Sequence, residues 1–299
     1  MKEIILSPLD WDNGHRDKVQ FLISRELDMN FSGSHIIYAN ESDENFVLKQ
    51  TQDRGVLLHE WNGLKQLSHY SLPVQQGVGL SIDQNGILTL ISREVKGFPI
   101  YQVEEGQRQL GESVRQLHQV VQVDTQQWNQ SGKYDFTYYD RILNKWDQDS
   151  VPDLQRSGKI VGMIFGLSTQ VVNHLKIVKP AFLHNDVHDG QGFIDDGRCI
   201  LIDFERWGVS DPLEDIAYYL YHQIRNGKED VNFRKFVDGY FSNQTLSESQ
   251  RNTLAFYLLY FASRSAVFFY EHRPDYYPIG QTNLLKTVQY VDSEKLWKC

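Results

Sequence analysis

The chain has 299 residues, of which 40% are hydrophobic and 23% are charged. This composition is typical of a globular protein with a sizeable core, and it excludes disordered and fibrous chains. The formal net charge of -9 argues against a nucleic-acid-binding protein, because domains of that kind usually carry a positive stripe. A cationic small substrate would suit the charge, but acidity of this size also serves solubility alone.

The length exceeds that of one compact core and suits two lobes that share a cleft. No stretch stays apolar over the ~18 to 20 residues of a membrane span, and the start of the chain lacks the apolar region of a signal peptide. Cys199 and Cys299 form neither a disulfide framework nor a metal cluster. We therefore expect a cytoplasmic protein with no membrane and no nucleic-acid partner.

The first predicted elements are a helix and two strands. Residues 15–27 carry apolar side chains at helical intervals, which predicts an amphipathic helix. A Ser/Gly turn at residues 31–34 is then expected to lead into a strand at residues 35–39. After the polar residues 40–45, a second strand is predicted at residues 46–49.

Further along, the pattern passes from mixed to mainly helical. Residues 56–67 predict a helix, and another strand is predicted after the Asn85-Gly86 turn. A glycine and a proline then interrupt the chain, and helical spacing dominates beyond them. We expect an α+β architecture with a small sheet-containing lobe at residues 1–96, a mainly helical lobe at residues 97–299, and a cleft between them.

Residues 184–205, HNDVHDGQGFIDDGRCILIDFE, place two aspartates on either side of a predicted β-hairpin. Asp186 follows an apolar run and precedes turn residues, so we expect it in a loop that presents its carboxylate. Asp203 ends an apolar strand. Because Asp196-Gly197 is a strong turn signal, the hairpin should bring both carboxylates to the same end. Such a pair suits a nucleotide's phosphates, with one carboxylate orienting a hydroxyl proton and the other holding a magnesium ion.

These residues resemble the catalytic segment of the aminoglycoside phosphotransferase and choline kinase group of kinase-like enzymes. That segment reads His-Gly-Asp, four variable residues, Asn, and a strand ending in Ile-Asp-Phe or Ile-Asp-Trp. The corresponding residues here are His184-Asn185-Asp186, Gln191 and Ile202-Asp203-Phe204. The resemblance implies that Asp186 is the catalytic base, that Asp203 is a magnesium ligand, and that His184 organises the loop.

The resemblance continues after the hairpin. Residues 208–220, GVSDPLEDIAYYL, are similar to the family's Gly-Asp-Pro run, which implies that Asp211 and Asp215 brace the catalytic loop and the following helix. From the residues alone, an Asp-Pro turn before an apolar helix is ordinary helix-start chemistry, in which the carboxylates accept free N–H groups. On either interpretation their effect on catalysis is expected to be indirect.

The resemblance also extends toward the start of the chain. FVLK looks like the strand with the phosphate-binding lysine, which makes Lys49 the candidate, and Glu60 on the next helix looks like its ion-pair partner. LISREVKG, which contains Glu94, resembles the hinge whose backbone holds the adenine. FSGSHIIYA is similar to the nucleotide-loop strand. The candidates there to touch the phosphates are Ser32, Gly33 and Ser34, although a turn alone explains the glycine.

Gln191 departs from the family pattern, because asparagine is usual at its position. Glutamine keeps an amide oxygen for magnesium but places it one methylene further out, so the metal position must be reshaped or lost. This departure motivates an alternative, a catalytically degenerate pseudokinase that binds nucleotide or a partner without transfer. The joint presence of Lys49, Glu60, Asp186 and Asp203 favours the enzyme.

An aromatic stretch near the end of the chain has two interpretations. Residues 256–277 contain enough rings to form a cage for an alkylammonium substrate by cation–π contact. The helical spacing of their apolar positions favours a helix face packed into the core.

The resemblance implies a bilobal protein-kinase-like fold. Residues 1–96 would be the nucleotide-binding lobe, and residues 97–299 would hold the catalytic loop and the acceptor site. We expect a small-molecule kinase that transfers the γ-phosphate of ATP or GTP to a hydroxyl, with Mg2+ as cofactor. Asp203 and Gln191 would bind the metal. The acceptor would be a hydroxylated small molecule, with a cationic compound as one candidate.

Overall fold

The computed structural model describes residues 3–11, 19–29, 34–41, 44–123, 162, 166–167, 171, 173–175, 177–242 and 246–293. The chain divides into two compact units, Met1–Val121 with Asp189–Trp207 and Gln122–His188 with Gly208–Cys299. The functional lobe boundary expected at residues 96–97 stays a prediction. Among the described helices, none is long and apolar enough to cross a membrane.

The described elements follow one another in a strand-rich and then a mainly helical order. They are β1 (Glu3–Trp11), β2 (Val19–Met29), β3 (Ser34–Glu41), β4 (Glu44–Thr51), α1 (Arg54–Leu67), β5 (Gly77–Asp83), β6 (Leu88–Arg93), β7 (Phe98–Pro99), α2 (Gly106–Val120), β8 (Ala181–Leu183), β9 (Gly192–Asp195), β10 (Arg198–Leu201), β11 (Gly208–Ser210), α3 (Leu213–Asn226), α4 (Glu229–Phe241), α5 (Glu248–His272) and α6 (Tyr277–Asp292).

In the first unit, an antiparallel sheet closes on itself. Its strand order is β1-β2-β3-β4-β6-β5, and β5 pairs back with β1. Side chains alternate between the two faces of a strand, so alternate apolar residues meet in one core. The fully or nearly fully buried members of this core are Leu6, Phe21, Ile37, Ala39, Phe46, Leu48 and Ile91.

The helix predicted at residues 15–27 is wrong where the structure describes it, because residues 19–27 belong to β2. Phe21 is fully buried, Leu22 is exposed, and Ile23 packs against the core, which is the two-residue period of a strand. Backbone pairing with β1 and β3 fixes this conformation. The strands predicted at residues 35–39 and 46–49 are confirmed.

The helix predicted at residues 56–67 is confirmed as α1. The Asp53 side chain caps its start by accepting the N–H groups of Gly55 and Val56. The helix packs against β4, β5 and β6. Its buried residues recur at helical spacing, and they include one carboxylate, Glu60. A buried carboxylate needs a hydrogen-bonding or charged partner, and the neighbouring strand β4 carries one, Lys49.

The predicted hairpin is formed by β9 and β10, which pair antiparallel. Its turn residues Asp196 and Gly197 have φ angles of 46° and 72°, as a type I′ turn requires. Helix α2 packs against β10. The Ser113 hydroxyl of α2 donates a hydrogen bond to the Cys199 carbonyl at 2.7 Å. The loop after β10 therefore starts from a well-anchored strand.

The second unit contains the short β8–β11 pair and the helices α3 to α6. Helix α5 packs against α3 and α6. Within the aromatic stretch, the helix-face interpretation is confirmed for the described positions. The buried residues there include Phe256, Leu259, Ser263 and Val267. Their spacing of three or four residues places them on one side of α5.

Candidate active site

Lys49 lies on the outer face of the closed sheet. In β4, Phe46 and Leu48 point into the core, so the alternate residue Lys49 points away from it. There Lys49 Nζ donates a hydrogen bond to Glu60 Oε2 of α1 at 2.9 Å. The predicted Lys49–Glu60 ion pair is present, while its contact with a nucleotide stays a prediction.

Two further carboxylates bind the same ammonium group. Lys49 Nζ also donates to Asp203 Oδ1 at 2.7 Å and to Glu205 Oε2 at 2.9 Å. Phe204, between the two acidic residues, is fully buried. This buried ring anchors the segment, and the carboxylates on either side of it both contact the lysine. Asp203 has a φ of 65°, a left-handed conformation that aspartate tolerates better than most residues.

Glu205 is the site residue that the sequence interpretation missed. Its signal was available in the IDFE run, where a carboxylate stands two residues after the predicted metal ligand. We call Lys49, Glu60, Asp203 and Glu205 the Lys49 cluster.

The Lys49 cluster contains more negative than positive charge. Burial disfavours the ammonium form of Lys49, but attraction by Glu60, Asp203 and Glu205 outweighs it and raises the pKa of Lys49 above its ordinary value. Burial, together with repulsion by the neighbouring carboxylates, raises the pKa of Glu60 to about 7, although Lys49 acts to lower it. One cation shared by three carboxylates leaves an excess of two negative charges when all are ionised. Lys49 therefore stays charged, and a proton or a further cation is favoured near Glu60.

The oxygen atoms of the cluster suit a divalent cation. Glu60, Asp203 and Glu205 each offer a carboxylate oxygen, and these oxygens lie within 4.8 Å of one another. Hard cations such as Mg2+ prefer oxygen ligands. The donor set and its excess charge of two therefore fit the magnesium that the sequence predicts for Asp203.

Gln191 supports Asp203 from the hairpin. It is buried, and its Nε2 donates a hydrogen bond to Asp203 Oδ2 at 3.0 Å. Its backbone oxygen accepts the N–H of Ile202 at 3.1 Å, which fixes the start of β9 against the loop after β10. Gln191 thus holds the aspartate through its amino group. The metal contact of its amide oxygen stays a prediction.

Asp186 belongs to the second unit, two residues after the buried His184. Its side chain is 13% exposed, and its Oδ2 lies 3.9 Å from Nε2 of His188. Asn185, at the position of the family's glycine, has a φ of 61°. Asparagine adopts this left-handed conformation more readily than most residues, so asparagine in place of glycine preserves the turn of the loop.

The predicted bracing is confirmed within the second unit, where Asp215 braces the loop before Asp186 and Asp211 braces the start of α3. Asp215 is fully buried and accepts the backbone N–H groups of His184 at 2.8 Å and Asn185 at 2.7 Å. Asp211 accepts the N–H of Leu213 at 3.0 Å. The other Asp211 oxygen accepts hydrogen bonds from the hydroxyl of Tyr257 and the Nε2–H of His174, both at 2.9 Å.

The remaining predicted nucleotide contacts are only partly described. Ser32 and Gly33 lie outside the described residues. Ser34 opens β3 and pairs with Thr51 of β4. Glu94 follows β6, and its backbone N–H donates to the Asn45 carbonyl at 3.0 Å. The contacts of these residues with a nucleotide stay predictions.

A family comparison identifies the chain. The sequence model described as "Phosphotransferase enzyme family" matches residues 38–248, which is more than half of the chain. The chain belongs to this family. The matched range includes Lys49, Glu60, Asp186 and Asp203. This member of the phosphotransferase enzyme family is therefore an enzyme, a small-molecule kinase, and the alternative of a degenerate pseudokinase finds no support in the comparisons. No curated protein sequence matches it significantly.

Solved structures of related enzymes share the fold. An aminoglycoside phosphotransferase from Alicyclobacillus acidocaldarius has a TM-score of 0.68 at 14% identity, covering 93% of each chain. A choline/ethanolamine kinase family protein from Mesorhizobium loti has a TM-score of 0.66 at 12% identity, covering 93% of this chain and 90% of its own. The amicoumacin kinase hAmiN, solved with AMP-PNP, Ca2+ and Ami, has a TM-score of 0.57 at 15% identity, with coverages of 90% and 88%. These likenesses confirm the predicted protein-kinase-like fold.

Proposed function

We propose that this enzyme transfers the γ-phosphate of ATP or GTP to a hydroxyl group of a small molecule, with Mg2+ as its cofactor. The observation that carries the proposal is the Lys49 cluster, in which one lysine joins a helix carboxylate to the aspartate after β10. The family membership supports the reaction class. The nucleotide bound by the similar kinase hAmiN supports a nucleotide as donor.

Lys49 is the residue that would hold the donor. Its ammonium group donates three hydrogen bonds, all to carboxylates, and these can be exchanged for phosphate oxygens. Glu60 would then keep the lysine stem directed at the phosphates. Lysine serves here as a compact point charge on a flexible stem, which allows the exchange.

Asp203 would hold the metal, with Glu205 beside it and Gln191 fixing the second oxygen of Asp203. When bound, magnesium would neutralise charge on the phosphate oxygens. The protein's contribution is to keep Asp203 in its left-handed backbone conformation, with its carboxylate turned toward Lys49.

Asp186 would orient the acceptor hydroxyl and accept its proton. The loop that presents Asp186 is fixed by the hydrogen bonds from His184 and Asn185 to Asp215. The carboxylate would thus be positioned before the substrate binds. Positioning, together with charge neutralisation, supplies most of the rate gain in phosphoryl transfer. We propose a hydroxylated acceptor, with a cationic compound as one candidate, because the similar enzymes are named for aminoglycosides, choline and ethanolamine.

The donor is tested by thermal unfolding with ATP, GTP and AMP-PNP, each with and without Mg2+. A ligand that binds only the folded protein raises the transition temperature. We expect a magnesium-dependent rise that Asp203→Asn abolishes. Asp195→Asn, which changes an exposed carboxylate of the same hairpin, should behave as wild type. Absence of a rise with any nucleotide would overturn the proposed donor.

The acceptor step is tested with an aminoglycoside, choline and ethanolamine, the compound classes in the names of the similar enzymes. Phosphorylation is followed by consumption of the nucleotide that stabilises the protein. Asp186→Asn should abolish turnover with any accepted compound and leave the nucleotide-dependent rise intact. Wild-type turnover in this variant would show that Asp186 is not the base.

A further inference from the structure

Trp207 connects helix α1 to the loop that carries Asp203 and Glu205. The Trp207 and His59 rings are stacked, with centroids 4.8 Å apart and planes at 8°. Trp207 Nε1 donates a hydrogen bond to the His59 carbonyl at 2.7 Å. His59 Nε2 lies 2.9 Å from the Trp207 carbonyl, and it is the donor because a carbonyl oxygen can only accept. We call this reciprocal contact the His59–Trp207 latch.

Gly63 provides the space for the latch. His59 and Gly63 lie one turn apart, on the same face of α1. A Cβ atom at Gly63 would lie 2.5 Å from Cδ1 of Trp207, which is closer than non-bonded carbon atoms approach. The indole therefore rests against bare helix backbone. Glycine costs helix stability relative to alanine, so its presence inside α1 is explained by this contact.

The latch residues lie next to members of the Lys49 cluster, both on α1 and on the loop after β10. His59 immediately precedes Glu60 on α1, and Trp207 follows Glu205 by two residues. The ion pairs of Lys49 also join these segments, but they depend on one cation. The latch consists of ring stacking and hydrogen bonds to backbone atoms. Its strength therefore does not depend on where the Lys49 ammonium points.

We propose that His59 and Trp207 are positioning residues that hold α1 and the loop after β10 in place while Lys49 exchanges carboxylates for phosphate. During this exchange Glu60, Asp203 and Glu205 lose part of their shared cation, and their like charges repel until Mg2+ compensates them. Without the latch, Glu60 would move away from Asp203 and the donor site would lose its geometry. This inference rests on the proposed donor role of Lys49.

The first test compares matched pairs of variants on α1 and the loop. Trp207→Phe removes the indole donor of the latch. Its control, Trp61→Phe, removes an indole hydrogen bond of similar length, 2.8 Å to Asp10, that ties α1 to β1 instead. Gly63→Ala crowds the indole, and Gly55→Ala places the same methyl group in the first turn of α1.

We expect Trp207→Phe and Gly63→Ala to raise the dissociation constant of Mg-ATP by about tenfold to 10²-fold, the effect of a misplaced site. The constant is taken from the rise of the transition temperature with Mg-ATP concentration. Trp61→Phe and Gly55→Ala should keep the wild-type dissociation constant, even if their ligand-free transition temperatures fall equally. Equal dissociation constants in the latch variants and their controls would overturn the proposal, since a purely structural contact changes stability alone.

The second test needs no nucleotide. Lys49→Met removes the shared cation, and hydrogen exchange of the α1 amides, residues 54–67, is measured in that background. We expect these amides to exchange about tenfold faster in Lys49→Met/Trp207→Phe than in Lys49→Met/Trp61→Phe. Equal exchange would show that the latch does not hold α1. If wild type shows no magnesium-dependent stabilisation by nucleotide, the proposed function fails, and this exchange experiment still decides the latch.

Discussion

The two compact units stabilise carboxylates in different ways. In the first unit, three carboxylates share the ammonium group of Lys49. In the second unit, the fully buried Asp215 accepts the backbone N–H groups of His184 and Asn185. Both arrangements compensate the desolvation of charge, one through a mobile side chain and the other through fixed backbone donors.

This difference separates ligand exchange from loop support. A lysine on a flexible stem can leave one carboxylate for another anion, whereas a backbone N–H cannot leave its place without unfolding the loop. The Lys49 cluster is therefore suited to take part in binding, and Asp215 is suited to fix the segment that presents Asp186. Mutations in the two regions should then affect activity and stability in different proportions.

The largest expected effect is that of Lys49→Met on activity. Because this change removes one charged donor from the proposed phosphate site, nucleotide-dependent phosphorylation should fall about 10²- to 10³-fold. The initial rate at saturating acceptor is the measurement. Lys65→Met, which removes an exposed lysine of α1 that pairs with Asp10 of β1, should leave the rate unchanged. An equal loss of rate in both variants would show that the effect does not come from the proposed phosphate site.

The next effect is that of Asp215→Ala on stability. It leaves two backbone N–H groups without their acceptor, at about 1 to 3 kcal/mol each, so the free energy of unfolding should fall by about 2 to 6 kcal/mol. Denaturant unfolding measures it. Asp215→Asn keeps one acceptor oxygen and should lose about half as much. A variant with wild-type stability and reduced turnover would instead make Asp215 a participant in catalysis.

A smaller effect is expected in the pH dependence of stability. Burial raises the pKa of Glu60 to about 7 in the folded protein, above its ordinary value of 4.5. Between these values the folded state binds more protons than the unfolded state, so the free energy of unfolding decreases as the pH rises from about 4.5 to about 7. Glu60→Gln should remove this part of the slope, measured without nucleotide or divalent cations. An unchanged slope would show that Glu60 is ionised throughout the range.

The smallest effect concerns Asn185, whose left-handed conformation directs the loop toward Asp186. Asn185→Gly should change the free energy of unfolding by less than about 1 kcal/mol, since glycine adopts this conformation freely. Asn185→Ala should lower it by about 1 to 2 kcal/mol, because alanine pays the full steric cost. Both are measured by denaturant unfolding. Equal stability of the two variants would mean that the loop does not require the left-handed conformation.

Local patterns in the sequence were sufficient for much of the site. The Asp196-Gly197 turn and the apolar strand before Asp203 predict the hairpin, and helical spacing places Glu60 on the buried face of α1. The prediction of secondary structure failed where the apolar residues fitted both the helical and the strand period. Residues 19–27 satisfy a helical spacing, yet pairing with β1 and β3 makes them a strand.

The sequence by itself determined the reaction class, because residues 38–248 match the phosphotransferase enzyme family without any coordinates. Only the tertiary structure decided how the charges are shared. Glu205 meets Lys49 across 156 positions and Trp207 meets His59 across 148, and no local period links residues so far apart. Such contacts follow from the closure of the sheet and the packing of α1, which depend on the whole unit at once.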